Sequence, residues 1–221
     1  MPKPTAILLG GDRYHHAEEA FAGVGPALEA AGLTVEYTTD PTLIDTDHLS
    51  EKRLLCILRD GMEWPDGHEK PYEVWMKPHQ EQAIEHFVAA GGAFMPLHNA
   101  GWAYPWQTDN GYRHVMGGYF QGHPAVLPFD VTVVNPDHPI TQGVEDYEIT
   151  DEQHFLWFDY DRVDLLLKSQ GHDGRESAAG WAYTYGQGRV VYLANGHTLD
   201  ILQHPMVQRL LYNAARWVMG G

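Results

Sequence analysis

The chain has 221 residues, 43% hydrophobic and 20% charged, a size and balance that fit one folded domain over 1–221 and exclude disorder. Fourteen Lys and Arg stand against 30 Asp and Glu, a formal net charge of −16. So acidic a chain repels phosphate backbones and anionic bilayers, which excludes nucleic acid and membrane surfaces as partners and leaves solubility as the ordinary reading of the charge.

Residues 5–10 (TAILLG) form an apolar run ending at Gly10-Gly11, a buried strand followed by a tight turn. Helical spacing covers 16–31, with Gly32 placed to cap its carboxyl end. Residues 33–37 alternate as a second strand and 53–58 (RLLCIL) read as a third. A Trp-, Pro-, Gly- and His-rich loop over 60–72 follows. A helix over 78–90 opens with Pro78 and stops at Gly91-Gly92, and 93–97 is a fourth buried strand. The order β-α-β-β-α-β with short apolar strands predicts an α/β domain with a mostly parallel sheet and helices on both faces. Further along, 112–119 reads as a short helix, 129–134 as a strand and 138–141 as a turn. Strands at 163–168, 180–185 and 189–194 follow, the last two linked as a hairpin by Gly186-Gln187-Gly188, and one amphipathic helix over 201–218 closes the chain.

The single cysteine, Cys56, falls inside the third strand and reads as a buried core residue. No intrachain disulfide is available to it, the amino-terminal residues lack a signal-peptide core, and no run of 18 apolar residues exists. Those features predict a soluble cytoplasmic protein and leave a homo-oligomer open. Histidine is the unusual count: 14, equal to Lys and Arg together. In an open parallel sheet ligands bind at the carboxyl ends of the strands. His15 and His16 follow the first strand, His98 the fourth and His197 the last, so three distant segments deliver imidazole to one edge. Two further segments stand out. Gly117-Gly118-Tyr119-Phe120-Gln121-Gly122-His123 surrounds a histidine with glycines, and 149–154 (ITDEQH) holds two carboxylates and a histidine, a composition that by itself reads as a solvated, capped turn.

Gly92-Ala93-Phe94-Met95-Pro96-Leu97-His98, the 117–123 segment, Asp137-His138-Pro139-Ile140-Thr141, Asp151-Glu152, and Tyr185-Gly186-Gln187-Gly188-Arg189-Val190-Val191-Tyr192 with Gly196-His197 resemble, in order and spacing, the ThuA-like (trehalose-utilisation) family along nearly the whole chain. The His15 loop resembles the family's early Gly-x-x-x-His. The resemblance implies a three-layer flavodoxin-like fold of the class I glutamine amidotransferase-like superfamily. His98 occupies the turn where those amidotransferases carry cysteine, so thiolate amidotransfer is excluded. It also implies a small-molecule sugar substrate, a 3-keto-glycoside whose carbonyl moves to the neighbouring carbon, and a divalent metal.

That isomerisation needs a base, a proton shuttle and an electrophile for the developing oxyanion. The expected catalytic groups are His98, Glu152 and His197. His98, His123, Glu152 and His197 are the expected ligands of zinc or manganese. His15, Asn99, Trp102, His114, Tyr119 and Asp151 are expected to contact substrate, with Trp102, Tyr104, Trp106 and Tyr119 as an aromatic wall. Two other readings stay open here: a metal-dependent hydrolase or lyase of keto-sugars, and a carbohydrate-binding protein without chemistry.

Overall fold

The computed structural model describes residues 3–63, 72–102 and 111–220. Strand β1 (Thr5–Gly10) leads into α1 (Ala17–Ala30) and β2 (Thr34–Thr38). Gly32 ends α1 at φ +103°, and the amides of Gly32 and Leu33 donate back to the carbonyls of Glu29 and Leu28, the paired bonds of a Schellman cap. A short α2 (Thr46–Ser50) precedes β3 (Leu54–Leu58), whose five residues, Cys56 among them, are all buried. The two-residue strand β4 (Met62–Glu63), inside the stretch expected to be loop, pairs with β5 (Glu73–Val74) just beyond that stretch. Helix α3 (Pro78–Ala89) opens with proline and closes at Gly91 (φ +111°) with the same cap as α1. It delivers the chain to β6 (Ala93–Pro96).

The middle departs from expectation in two places. Helix α4 (Gly111–Met116) stops early, because Gly117 turns at φ +80° and the chain enters β7 (Gly118–Gly122), which pairs with β10 (Phe155–Phe158). After β8 (Leu127–Val133), the 149–154 segment is not a solvated turn: β9 (Tyr147–Asp151) runs through it with Ile149 and Asp151 facing inward. Strands β11 (Asp164–Gly171), β12 (Glu176–Tyr185) and β13 (Gly188–Leu193) form a meander, and the β12–β13 hairpin is the expected one. The closing helix is two, α5 (Leu199–Leu202) and α6 (Pro205–Val218). Pro205 has no N–H to continue α5 and instead starts α6 at its first position, with His204 Nδ1 accepting from the Met206 amide at 3.3 Å.

Nine strands make the main sheet in the order β2-β1-β3-β6-β13-β12-β11-β8-β9. The first five are parallel neighbours and the rest extend antiparallel; only β12 and β8 run against the others, so seven of nine point one way. Helix α1 packs against α5 and α6, and α3 packs against α2 and α4, which gives the three-layer α/β architecture. The core lies between these layers, with Trp181, Tyr192 and Phe94 its largest fully buried side chains. The sheet order brings the carboxyl ends of β1, β3, β6 and β13 side by side. The strand order switches sides between β1 and β3, with β2 outside β1 and β6 outside β3, the place where such sheets leave a crevice.

Candidate functional site

His98 stands at the turn after β6 and, among the described residues, is the one non-glycine at positive φ, +44°. A left-handed backbone at a side-chain-bearing residue is held against its preference by the surrounding fold and is typical of functional turns. Tyr192 Oη donates to the His98 carbonyl at 2.8 Å, and the His98 imidazole is fully buried. Its Nδ1 donates to the Ala194 carbonyl at 2.7 Å, which leaves Nε2 without a hydrogen-bond partner and 3.5 Å from Glu152 Oε2.

His15 arrives from the β1–α1 loop. Asp12 fixes that loop by accepting from the Tyr14 and His15 amides at 2.7 and 2.9 Å, and its Oδ1 lies 2.9 Å from His15 Nδ1. His15 Nε2 is therefore turned to His197 Nδ1, 3.1 Å away. His197 follows Gly196 after β13, and the buried Asp151 carboxylate ties that loop down, accepting from the amides of Gly196 (3.0 Å), His197 (3.3 Å) and Glu152 (2.9 Å). One carboxylate thus positions both Glu152 and His197.

Glu152 is the electrostatic centre. Its Oε2 lies 3.5 Å from both His98 Nε2 and His197 Nδ1 and 3.6 Å from His154 Nε2, while Oε1 is 3.6 Å from His123 Nδ1. Burial works against its charge, but His154, His98 and His197 outweigh burial and hold the carboxyl far below the usual range. His98 moves the other way: burial opposes its protonation, yet Glu152, Asp151 and the Ala194 carbonyl raise it. Burial, reinforced by the charge of His98, pushes His154 well down and His197 down as well. The ligating atoms of His15, His98, Glu152 and His197 all lie within 4.8 Å of one another. Three imidazoles and a carboxylate, with Asp12 and the Ala194 carbonyl orienting two of the rings, suit a divalent transition metal. The buried, unpartnered Nε2 of His98 fits that use.

A cavity of about 350 Å³ opens beside this cluster. His15, Asn99, Trp102, His123 and Glu152 line it, as do Tyr14, Asp60, Phe120 and His154. His123 lines the cavity but does not join the cluster; its Nδ1 donates to the Pro124 carbonyl at 2.7 Å, and His15 takes the place expected for it. Asp151 is 1% exposed and spends its oxygens on backbone amides, so it positions other groups and does not face substrate. Tyr119 points away, because neighbours on a strand face opposite sides: Phe120 takes the cavity side and Tyr119 stacks on Trp157, 5.6 Å between centroids. His114 lies on the exposed side of α4, outside the cavity, and its carbonyl accepts from Arg162 and Tyr183. Tyr104 and Trp106 lie outside the described residues. Asp12, Asp60, Phe120 and His154 were not among the expected site residues. Asp60 was within reach of the strand-end rule, since it follows β3 as His98 follows β6.

The family model described as "ThuA: Trehalose utilisation" matches residues 6–218. The chain belongs to the ThuA family. Its fold is shared with ThuA-like proteins from Parabacteroides merdae (16% identity, TM-score 0.78, 99% of this chain and 91% of that one) and Bacteroides uniformis (20% identity, TM-score 0.75, 98% and 91%). A cytoplasmic protein from Salmonella typhimurium is also similar, at 14% identity and TM-score 0.64 over 97% and 98% of the two chains. No curated protein matches the sequence of this ThuA-family chain. Among its described residues no helix is long and apolar enough to cross a membrane.

Proposed function

We propose that this protein is a cytoplasmic enzyme of sugar metabolism that isomerises a 3-keto-glycoside to the 2-keto form through an enediolate. The observation that carries the reading is the convergence of His15, His98, Glu152 and His197 at one end of the parallel strands, beside a cavity wide enough for a sugar ring. In this reading those four residues hold zinc or manganese. The cation would supply positive charge for the oxyanion that develops when a proton leaves the carbon next to the carbonyl.

The chain's own groups account for the proton movements. Glu152 turns Oε2 toward the cluster and Oε1 toward the cavity-lining His123, so Oε1 is the base that takes the proton from C2 and returns it to C3. The accompanying hydroxyl proton leaves O2 and arrives at O3, and His123, 38% exposed at the rim, relays it. Trp102 and Phe120, 5.7 Å apart, offer apolar faces to the sugar ring.

The test is incubation of the zinc- or manganese-loaded protein with a methyl 3-keto-glucoside in deuterium oxide, followed by NMR. Isomerisation gives a 2-keto product of intact glycosidic bond that carries solvent deuterium at C3, and reversal of the first step places deuterium at C2 of the recovered 3-keto substrate. Release of methanol and a free keto-sugar would replace this reading with hydrolysis. Absence of exchange and turnover with either metal would favour a binding protein.

A further inference from the structure

We propose that Asp60 faces the bound sugar as a neutral carboxylic acid and donates a hydrogen bond to one of its oxygens. The identity of the ligand rests on the keto-glycoside reading; the state of Asp60 rests on its surroundings alone. Asp60 is 2% exposed at the end of β3 and lines the cavity. Its amide donates to Asp12 Oδ2 at 3.1 Å, its carbonyl accepts from Trp75 Nε1 at 2.6 Å, and its Oδ1 accepts from the Met62 amide at 2.9 Å. The residue is thereby fixed against the Asp12 carboxylate. Asp12 is the member of the pair that keeps its charge, because His15, the Tyr14 and His15 amides and Asn99 all point donors at it.

Burial disfavours the charged form of the Asp60 carboxyl, and the Asp12 carboxylate held against the Asp60 amide disfavours it further. The neighbouring Arg59 guanidinium, bonded to the Gly11 carbonyl and to Glu63 at 2.9 Å, favours the Asp60 charge less than burial and Asp12 oppose it. The remaining titratable groups on the cavity are Tyr14, His15, tied to Asp12, and Glu152, His123 and His154, which face one another. Burial, followed by the Asp12 charge, pushes Asp60 up to about 7. Glu152 lines the same cavity within 3.6 Å of His98, His154 and His197, so the site holds a carboxylate and a carboxylic acid together. The acid gives a sugar carbonyl or hydroxyl a donor that an ionised aspartate lacks.

The experiment is a carbon-13 NMR titration of aspartate carboxyls in the full-length, metal-free protein, assigned through bonds from the backbone. It is paired with calorimetric binding of a methyl 3-keto-glucoside at pH 6 and pH 8. The expected midpoint for Asp60 is near 7, with binding roughly 5- to 10-fold weaker at pH 8. Asp60→Asn, whose amide still donates, should hold affinity within a few-fold and lose the pH dependence, and Asp60→Ala should bind about 10-fold more weakly. A midpoint in the ordinary aspartate range, or unchanged pH dependence in Asp60→Asn, overturns the proposal. If the wild type binds no keto-glucoside at either pH, the keto-glycoside reading fails, and the carboxyl titration still decides whether Asp60 is the acid.

Discussion

His15 Nε2 and His197 Nδ1 stand 3.1 Å apart although 182 positions separate them in the chain. The arrangement has a direction. Asp12 accepts the hydrogen bond from His15 Nδ1–H, so Nε2 presents a lone pair toward His197 and the rest of the cluster. Asp12→Asn should therefore weaken divalent-metal binding about 10- to 100-fold, the usual effect of removing a carboxylate behind a ligating histidine. Competition against a chromophoric zinc chelator measures it. Unchanged affinity would take His15 out of the ligand set.

Asp151 fixes three amides with one carboxylate. Asp151→Ala leaves all three unsatisfied, two of them on the loop that carries His197, and should destabilise by about 2–4 kcal/mol in urea unfolding. Asp151→Asn keeps one acceptor oxygen and should lose less. Equal losses would mean that the hydrogen bonds are not the source of the effect.

Stability should depend on pH through Asp60. Its folded carboxyl titrates at about 7 against 3.8 for the ordinary group. The sign follows: between those values the folded protein binds a proton that the unfolded chain has released. This contribution is intact below about pH 4, declines as pH rises, and is gone above about 7. Asp60→Asn has no such slope. Relative to wild type, the variant should gain on the order of 2 kcal/mol between pH 4 and pH 8 in urea midpoints. A constant difference across that range would show that Asp60 ionises normally.

Gly188 starts β13 where a Cβ would lie 2.2 Å from the carbonyl oxygens of both Val88 and Gly92. Neither is the end of a flexible side chain, so Gly188→Ala must move backbone and should cost about 3 kcal/mol or more. Gly174, at φ +83° with open space around it, is the control: alanine there meets only the backbone preference, about 1 kcal/mol. Thermal unfolding of the two variants separates a steric cause from a conformational one.

Local patterns in the chain determined most of the elements and one edge of the site. The Gly32 and Gly91 stops, the opening proline of α3, the apolar strands and the β12–β13 hairpin depend on neighbours a few residues away, and such signals survive in one dimension. The sequence features of the ThuA family, and the delivery of His15, His98 and His197 by strand ends, were legible for the same reason. Other features were decided by packing between distant segments. Strand β9 was hidden because its inward position 151 is an aspartate, a polar residue that pays for burial by binding amides 45 and 46 positions away. Tyr119 and Phe120 have similar composition and opposite faces, and only the pairing of β7 with β10 sets which one reaches the cavity. His15 rather than His123 joins the cluster because Asp12 turns its ring toward His197, while His123 is held by its own neighbour's carbonyl. The surroundings of Asp60 come from burial at the end of β3 and, after it, from the charge of Asp12, which lies 48 residues earlier and which the sheet order brings against the Asp60 amide.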